Sequence, residues 1–242
     1  MDSIKRYRWG RRLPMAVASA GVGAAAVVWL APGGVLGTNE PVHVTAGFSV
    51  RAYRALTGSV ADGPPWAETV LEAASEGTLL FLGLLLAWVG WSALRRRDRE
   101  GLAGMAVAAA GTVVAYGISE ALKLLVDEQR PCRALPGVVA LAPCPAPGDW
   151  SFPSNHATLA VALAVGVVLI RPRLAALALP VAGAAALLRV LVGVHYPHDV
   201  LAGAALGATA VVTVRLLVLP IALRAVSAFL VGQSVGRHRD HA

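Results

Sequence analysis

Charge is scarce in this 242-residue chain: only 14% of its residues are Asp, Glu, Lys or Arg, against roughly 25% in an ordinary soluble domain. With 57% hydrophobic residues beside it, that scarcity argues against a soluble enzyme and against a disordered chain. Cysteine is scarcer still. Two residues, Cys132 and Cys144, cannot supply the framework of a disulfide-rich secreted module. Acidic residues number 14 against 21 Lys and Arg, and they form no cluster suited to magnesium. What remains is a set of long apolar runs. The composition therefore points to an all-α, polytopic membrane protein, in which a charge in apolar surroundings needs a reason.

The formal net charge of +7 would suggest nucleic acid in a soluble protein. Here the basic residues are divided among separate clusters. Lys5, Arg6, Arg8, Arg11 and Arg12 precede the first apolar run, Arg95, Arg96, Arg97 and Arg99 follow the second, Arg171 and Arg173 follow the fourth, and Arg237 and Arg239 end the chain. A nucleic-acid surface would not be cut up by apolar spans. Cytoplasmic ends of membrane helices carry such clusters.

Apolar runs near 20 residues predict six spans, at about 14–32, 77–94, 102–125, 156–171, 174–193 and 199–219. The first runs on to Ala31-Pro32-Gly33 without a convincing cleavage site, so an uncleaved anchor is expected rather than a signal peptide. Gly104, Gly111 and Gly117, with Gly203 and Gly207, are expected to let helices pack closely. Placing the basic clusters inside puts both termini in the cytoplasm. It makes 33–76, 126–155 and 194–198 external. The expected organisation is one membrane domain over 1–242. A basic cytoplasmic segment spans 1–13, an external loop 33–76, a core 77–219 and a cytoplasmic tail 225–242. In the first loop, Phe48, Ala52, Leu56 and Val60 repeat every four residues and predict a short amphipathic helix. Glu68, Glu72 and Glu76 read as a solvated helix face. Both cysteines fall in the second external loop, on the oxidising side, where a disulfide or two free thiols are the alternatives.

Ionisable residues near membrane depth concentrate at three places, all external by this topology. KLLVDEQRP holds Lys123 and Arg130, seven residues apart and so expected on one helical face, with Pro131 ending the helix. FPSNH holds His156 at the start of a helix that Ser154 or Asn155 can cap, where free N–H groups form an anion site. RVLVGVHYPHD holds Arg189, His195 and Asp199. With Pro197 in the first turn of the last span, Asp199 can reach one nitrogen of His195 and leave the other as nucleophile or base. His198 should point elsewhere. Each place alone reads as an ordinary cap, loop or snorkelling cation. Together they supply three cations, two histidines and a carboxylate able to bind, attack and protonate a phosphoryl ester. No metal or other cofactor is called for.

These segments match the patterns K-x6-R-P, P-S-G-H and R-x5-H-x3-D in order. Over about residues 77–219 the chain thus resembles the type 2 phosphatidic acid phosphatase superfamily. It departs at Asn155, where the pattern has Gly, and at Leu188, where Ser often precedes the Arg. The resemblance implies a six-span membrane phosphatase working through a phosphohistidine. His195 attacks phosphorus, Asp199 orients it and His156 protonates the leaving group. Lys123, Arg130, Arg189, Ser154 and the N–H groups near Asn155 hold the phosphate. It also implies a lipid substrate and the bilayer as partners. Polyprenyl diphosphate or a polyprenyl-linked phosphate comes first, then phosphatidic acid or phosphatidylglycerol phosphate. The enzyme would sit in the plasma membrane of a bacterium with its site outside the cytoplasm. Lipid phosphotransfer and non-catalytic anion or lipid transport are the competing readings.

Overall fold

A computed structural model of the chain describes residues 2–33, 40–61, 63–64, 66–138 and 140–239. The side chains of Lys5, Arg6, Arg8, Arg237 and Arg239, and the whole of Asp62, lie outside the described residues. The α-helices are α1 (Asp2–Leu30), α2 (Phe48–Ala61), α3 (Trp66–Arg95), α4 (Arg99–Val126), α5 (Pro131–Ala134), α6 (Asn155–Ile170), α7 (Ala175–Leu191) and α8 (Pro197–Arg239). Among the described residues there is no strand, only an isolated bridge between Val42 and Glu128.

Among the described residues five segments are long and apolar enough to cross a membrane: Gly10–Leu30, Trp66–Arg95, Arg99–Val126, Pro172–Leu191 and Pro197–Leu230. The segment expected as a fourth span is α6, whose 16 residues rise about 24 Å, less than the ~30 Å of a hydrocarbon core. It lies inside the bundle, packed on α3, α4, α7 and α8. Its small residues permit this: Ala157, Ala160, Ala162 and Ala164 are fully buried. Facing residues are small too. A Cβ on Gly203 or Gly207 of α8 would run into the carbonyl oxygens of Ser154 and Thr158. Gly104 and Gly111 likewise sit against Ile170 and Val211, whereas Gly117 faces open space. The close α6–α8 approach brings the PSNH segment against the HYPHD segment, and Ser154 N–H donates to Asp199 O at 3.1 Å.

Three sequence expectations are corrected. Lys123 and Arg130 do not share a helical face. α4 stops at Val126, where Asp127 takes φ 45° and its N–H caps Lys123 O, a conformation Asp tolerates better than most residues. Residues 128–130 then run on beside Val42, with Val42 N donating to Asp127 O and Gln129 N to Val42 O. Next, α3 begins at Trp66 rather than near residue 77, so Glu68, Glu72 and Glu76 belong to the same helix as the span. Finally, α2 forms as expected but buries a different line. Val50, Tyr53 and Thr57 face inward while Phe48 is 78% exposed. Tyr53 decides the rotation, because its hydroxyl reaches the Gly193 carbonyl at 2.9 Å.

The antiparallel succession of helices sorts the charges to opposite ends. Arg95–Arg99 joins α3 to α4, and Arg171–Arg173 joins α6 to α7, at one end. Arg171 Nη2 pairs there with Asp98 Oδ2 at 2.8 Å. Lys123, Arg130, His156, Arg189, His195 and Asp199 lie at helix termini of the other end.

Candidate active site

The backbone after α7 makes a tight turn. Gly193 N–H donates to Val190 O and Val194 N–H to Arg189 O, with Gly193 at φ 86°. Glycine is required twice over here, since a Cβ would also meet Ala140 Cα at 2.9 Å. The turn delivers His195 immediately before α8, which starts at Pro197 as expected. Asp199 lies in its first turn. One carboxylate oxygen, Oδ2, reaches back to the Tyr196 N–H at 2.8 Å, in the manner of a capping box. The same oxygen lies 3.3 Å from His195 Nδ1 and accepts a hydrogen bond from the Ser151 hydroxyl.

His195 is 2% exposed and Asp199 is fully buried. Burial, then the charge of Arg130 and more weakly that of Arg189, outweighs Asp199 and lowers the His195 pKa to about 3. The imidazole is therefore neutral at neutral pH. Its Nδ1 faces Asp199, and its Nε2 lies 3.0 Å from Arg130 Nη1. Ser151, within 3.4 Å of His195 Nδ1, was not singled out from the sequence. Only its place two residues before the PSNH motif could have pointed to it.

Lys123 and Arg130 come together through Asp149. Lys123 Nζ is 3.1 Å and Arg130 Nη2 2.9 Å from the single oxygen Asp149 Oδ1. Arg130 Nε also donates to Asp149 O at 2.9 Å, and Nη1 to Val194 O at 3.1 Å. Both cations are buried while Asp149 is open to solvent. Although partial burial opposes it, the charges of Arg130 and Lys123 hold the Asp149 carboxyl below the usual carboxylate range. A carboxylate oxygen thus stands where a phosphate oxygen can stand, one guanidinium away from His195 Nε2.

The second histidine belongs to a parallel arrangement. Glu76 Oε1 is 2.9 Å from His156 Nε2 and 3.9 Å from Arg189 Nη1. Glu76 keeps the solvated helix face expected of it, and α3 also sets its carboxylate beside the site, a proximity that the expected span boundary at residue 77 concealed. Arg189 Nη1 also donates to Ser75 Oγ at 3.3 Å. Among the described residues four buried side-chain atoms have no hydrogen-bond partner; Arg189 Nε and Ser154 Oγ are the two donors at the site, and Asp199 Oδ1 and Thr213 Oγ1 are the others. Ser154 is the N-cap residue of α6 by backbone geometry, yet its hydroxyl makes no capping bond. Free donors at these two positions suit an incoming oxyanion. Asn155 is turned away. Its Oδ1 accepts from Ser119 and its Nδ2 donates to Glu120, so only its N–H stays with the helix terminus.

His198 does not point elsewhere, contrary to the sequence reading. Its Nε2 lies 3.2 Å from Asp199 Oδ1 and 3.1 Å from Glu128 Oε1. Glu128, His198 and Asp199 offer ligand atoms within 4.8 Å of one another, a grouping the sequence reading did not anticipate when it called for no metal. A disulfide joins Cys132 to Cys144, with Cα atoms 6.0 Å apart, and closes the segment between α5 and residue 145.

Comparison with known proteins bears on this geometry. The PAP2 superfamily profile matches residues 103–223, a stretch that contains all three motifs. Decaprenylphosphoryl-5-phosphoribose phosphatase of Mycobacterium tuberculosis is 40% identical over 157 residues, covering 64% of this chain and 82% of that protein. Aquifex aeolicus LpxE superposes with a TM-score of 0.57 at 19% identity, covering 72% of this chain and 98% of that one. A PAP2-type phosphatidylglycerolphosphate phosphatase from Bacillus subtilis superposes at 0.54 with 21% identity, covering 83% and 94%.

Proposed function

The chain belongs to the PAP2 superfamily, and from that membership we propose that this phosphatase hydrolyses a polyprenyl-linked phosphate by way of a phosphohistidine. The substrate class follows the Mycobacterium tuberculosis relative and ranks a phosphorylated polyprenyl carrier ahead of phosphatidic acid or phosphatidylglycerol phosphate. The mechanism rests on one observation above the others. Lys123 and Arg130 converge on a single anionic oxygen while Arg130 also touches His195 Nε2.

In the first step phosphate displaces Asp149 Oδ1 and lies against Lys123, Arg130 and Arg189, with the Ser154 hydroxyl and the α6 N-terminus as further donors. His195 Nε2 attacks phosphorus. The N–P bond forms as the P–O bond to the leaving group breaks, and His156 gives that oxygen its proton. Asp199 holds the Nδ1 proton and stabilises the positive charge that develops on the ring. Water then attacks phosphorus: the new O–P bond forms as the N–P bond breaks and returns its electron pair to His195 Nε2, His156 takes the water's proton, and inorganic phosphate leaves. The residues present supply every proton transfer and every positive charge in this sequence.

The membrane reading is part of the same proposal. α6 is a short sixth span, completed by its neighbours rather than by its own length. The Arg95–Arg99 and Arg171–Arg173 end faces the cytoplasm with both termini, and the site faces outward across the plasma membrane. The chain forms one membrane domain whose core runs from α3 through α8, preceded by an external segment that carries α2.

Phosphate release by the purified protein in detergent with EDTA tests the reaction. Full turnover is expected in the wild type and a loss of about 10³-fold or more in His195→Ala. Wild-type turnover in that variant overturns the mechanism. For sidedness, Ala146→Cys is expected to react with an impermeant thiol reagent in intact cells. Labelling only after permeabilisation overturns the topology.

A further inference from the structure

We propose that the end of the molecule opposite the active site binds the phosphate of an anionic phospholipid, in a cavity between the last turn of α3 and the joint from α6 to α7. The cavity measures about 260 Å³ and is lined by Trp88, Ser92, Arg96, Arg171, Arg173 and Leu174. Trp88, Ser92 and Arg96 stand four residues apart and so form one stripe along α3. A bond of 3.2 Å from Arg96 N–H to Ser92 O carries that stripe just past the end of the helix. The other three residues come from the joint. Leu174 N–H donates to Arg171 O at 2.9 Å and closes a 3₁₀ turn over Pro172–Leu174, which sets both arginines of the joint at the cavity.

Three guanidiniums line this cavity, and among the described residues only that of Arg171 meets a carboxylate, Asp98 Oδ2 at 2.8 Å. The other oxygen of Asp98 is committed to Gly101 N–H at 3.0 Å, where it caps α4. Arg96 and Arg173 form no ion pair among the described residues, so two positive charges stand unmatched around an open space. Guanidinium forks bind phosphate oxygens two at a time. The other walls select a lipid over a free anion. Trp88 lies about 12 Å deeper than Arg96 along α3, and indole rings favour the depth of lipid headgroups. From there the exposed side chains of Leu84 on α3 and Leu177 on α7 lead away from the arginines. A free anion leaves those apolar groups uncovered, whereas acyl chains cover them. Basic pockets between membrane helices take anionic headgroups in this way. Arg95 is engaged elsewhere: it stacks on Trp91, 5.4 Å from the ring centroid, and does not line the cavity. Such a site works whichever way the chain is oriented, and it shares no residue with the active-site end.

Native mass spectrometry of the full-length protein in detergent tests the site, with equal amounts of phosphatidylglycerol and phosphatidylcholine of matched chains. The wild type is expected to hold phosphatidylglycerol over phosphatidylcholine by about tenfold or more, at about fivefold for each unmatched guanidinium. Arg96→Gln with Arg173→Gln is expected to cut that preference to about threefold or less. Arg171 is left in place because its bond to Asp98 also ties α4 to the joint. Arg95→Gln with Arg99→Gln removes the same charge from the same end outside the cavity, and is expected to keep the preference within about twofold of wild type. Phosphate release is expected to stay at the wild-type level in both pairs, which checks that they fold. Equal preference in the two pairs overturns the proposal, because lipid held at the active site or by surface charge at large does not distinguish them. Displacement of phosphatidylglycerol by inorganic phosphate at equal concentration overturns it as well, in favour of a free anion. A wild type that lacks phosphatase activity and keeps the lipid preference defeats only the reaction proposed above. An active wild type with no preference defeats only this site.

Discussion

The two candidate proton-handling histidines occupy different environments. His195 is 2% exposed and is locked by Asp199, Ser151 and Arg130. The His156 side chain is 23% exposed and meets one carboxylate, Glu76, whose own side chain is 63% exposed. The contrast fits two tasks. A nucleophile must present one lone pair at one angle, which rigid burial secures. A general acid must find the oxygen of a leaving group whose size and position vary, which a half-open site with a single partner permits.

The largest test of this contrast compares leaving groups. His195→Ala is expected to lose about 10³-fold or more in kcat on both a lipid phosphate and p-nitrophenyl phosphate, because both need the nucleophile. His156→Ala is expected to lose about 10²-fold or more on the lipid phosphate and less than about tenfold on p-nitrophenyl phosphate, whose phenolate leaves without a proton. Equal losses of His156→Ala on the two substrates would erase the distinction.

Acid should reveal the locked histidine next. Unfolded, His195 takes a proton near pH 6.5; folded, only near pH 3. Between those values the unfolded chain binds the extra proton, so this residue lowers stability as pH falls from about 6.5 toward 3 and has no effect above that window. Thermal unfolding in detergent is expected to show a decline in Tm that is shallower in His195→Asn. An unchanged slope would mean that His195 is more solvated than its packing implies.

Smaller effects belong to the two carboxylates. Glu76→Gln removes the anion on His156 and is expected to lower kcat about tenfold on the lipid phosphate, with little change on p-nitrophenyl phosphate. Asp149→Asn frees Lys123 and Arg130 from a competing charge, and inorganic phosphate is expected to inhibit about threefold more tightly. Weaker inhibition would mean that Asp149 organises the cations rather than standing in for substrate.

Much of the fold was legible because apolar length is a local property. The spans at α1, α3, α4, α7 and α8 follow from runs of side chains that exclude water, and the helix start at Pro197 follows from one residue's missing N–H. Boundaries were less legible. The four-residue spacing of Glu68, Glu72 and Glu76 marks a helix face but not that this helix runs on into the span, and Asp127 ends α4 through a backbone torsion that several residues could have adopted. The motif residues could be found by spacing, since His195 and Asp199 are one helical turn apart. Ser151 and Glu128 could not, because each reaches the site from a different element.

By itself the sequence determined that the chain enters a bilayer, that its cations divide between two ends, and which residues could handle a phosphoryl group. Those follow from composition, period and short spacing. Only the tertiary structure decided how the groups face one another. Lys123 and Arg130 meet at Asp149 after the chain has turned rather than along a helix. Glu76 faces His156, and His198 turns back to Asp199. Apart from the adjacent pair His198 and Asp199, these contacts cross 19 to 80 residues of chain, and in a low-dielectric interior each buried charge settles against whichever partner packing brings within a few ångströms.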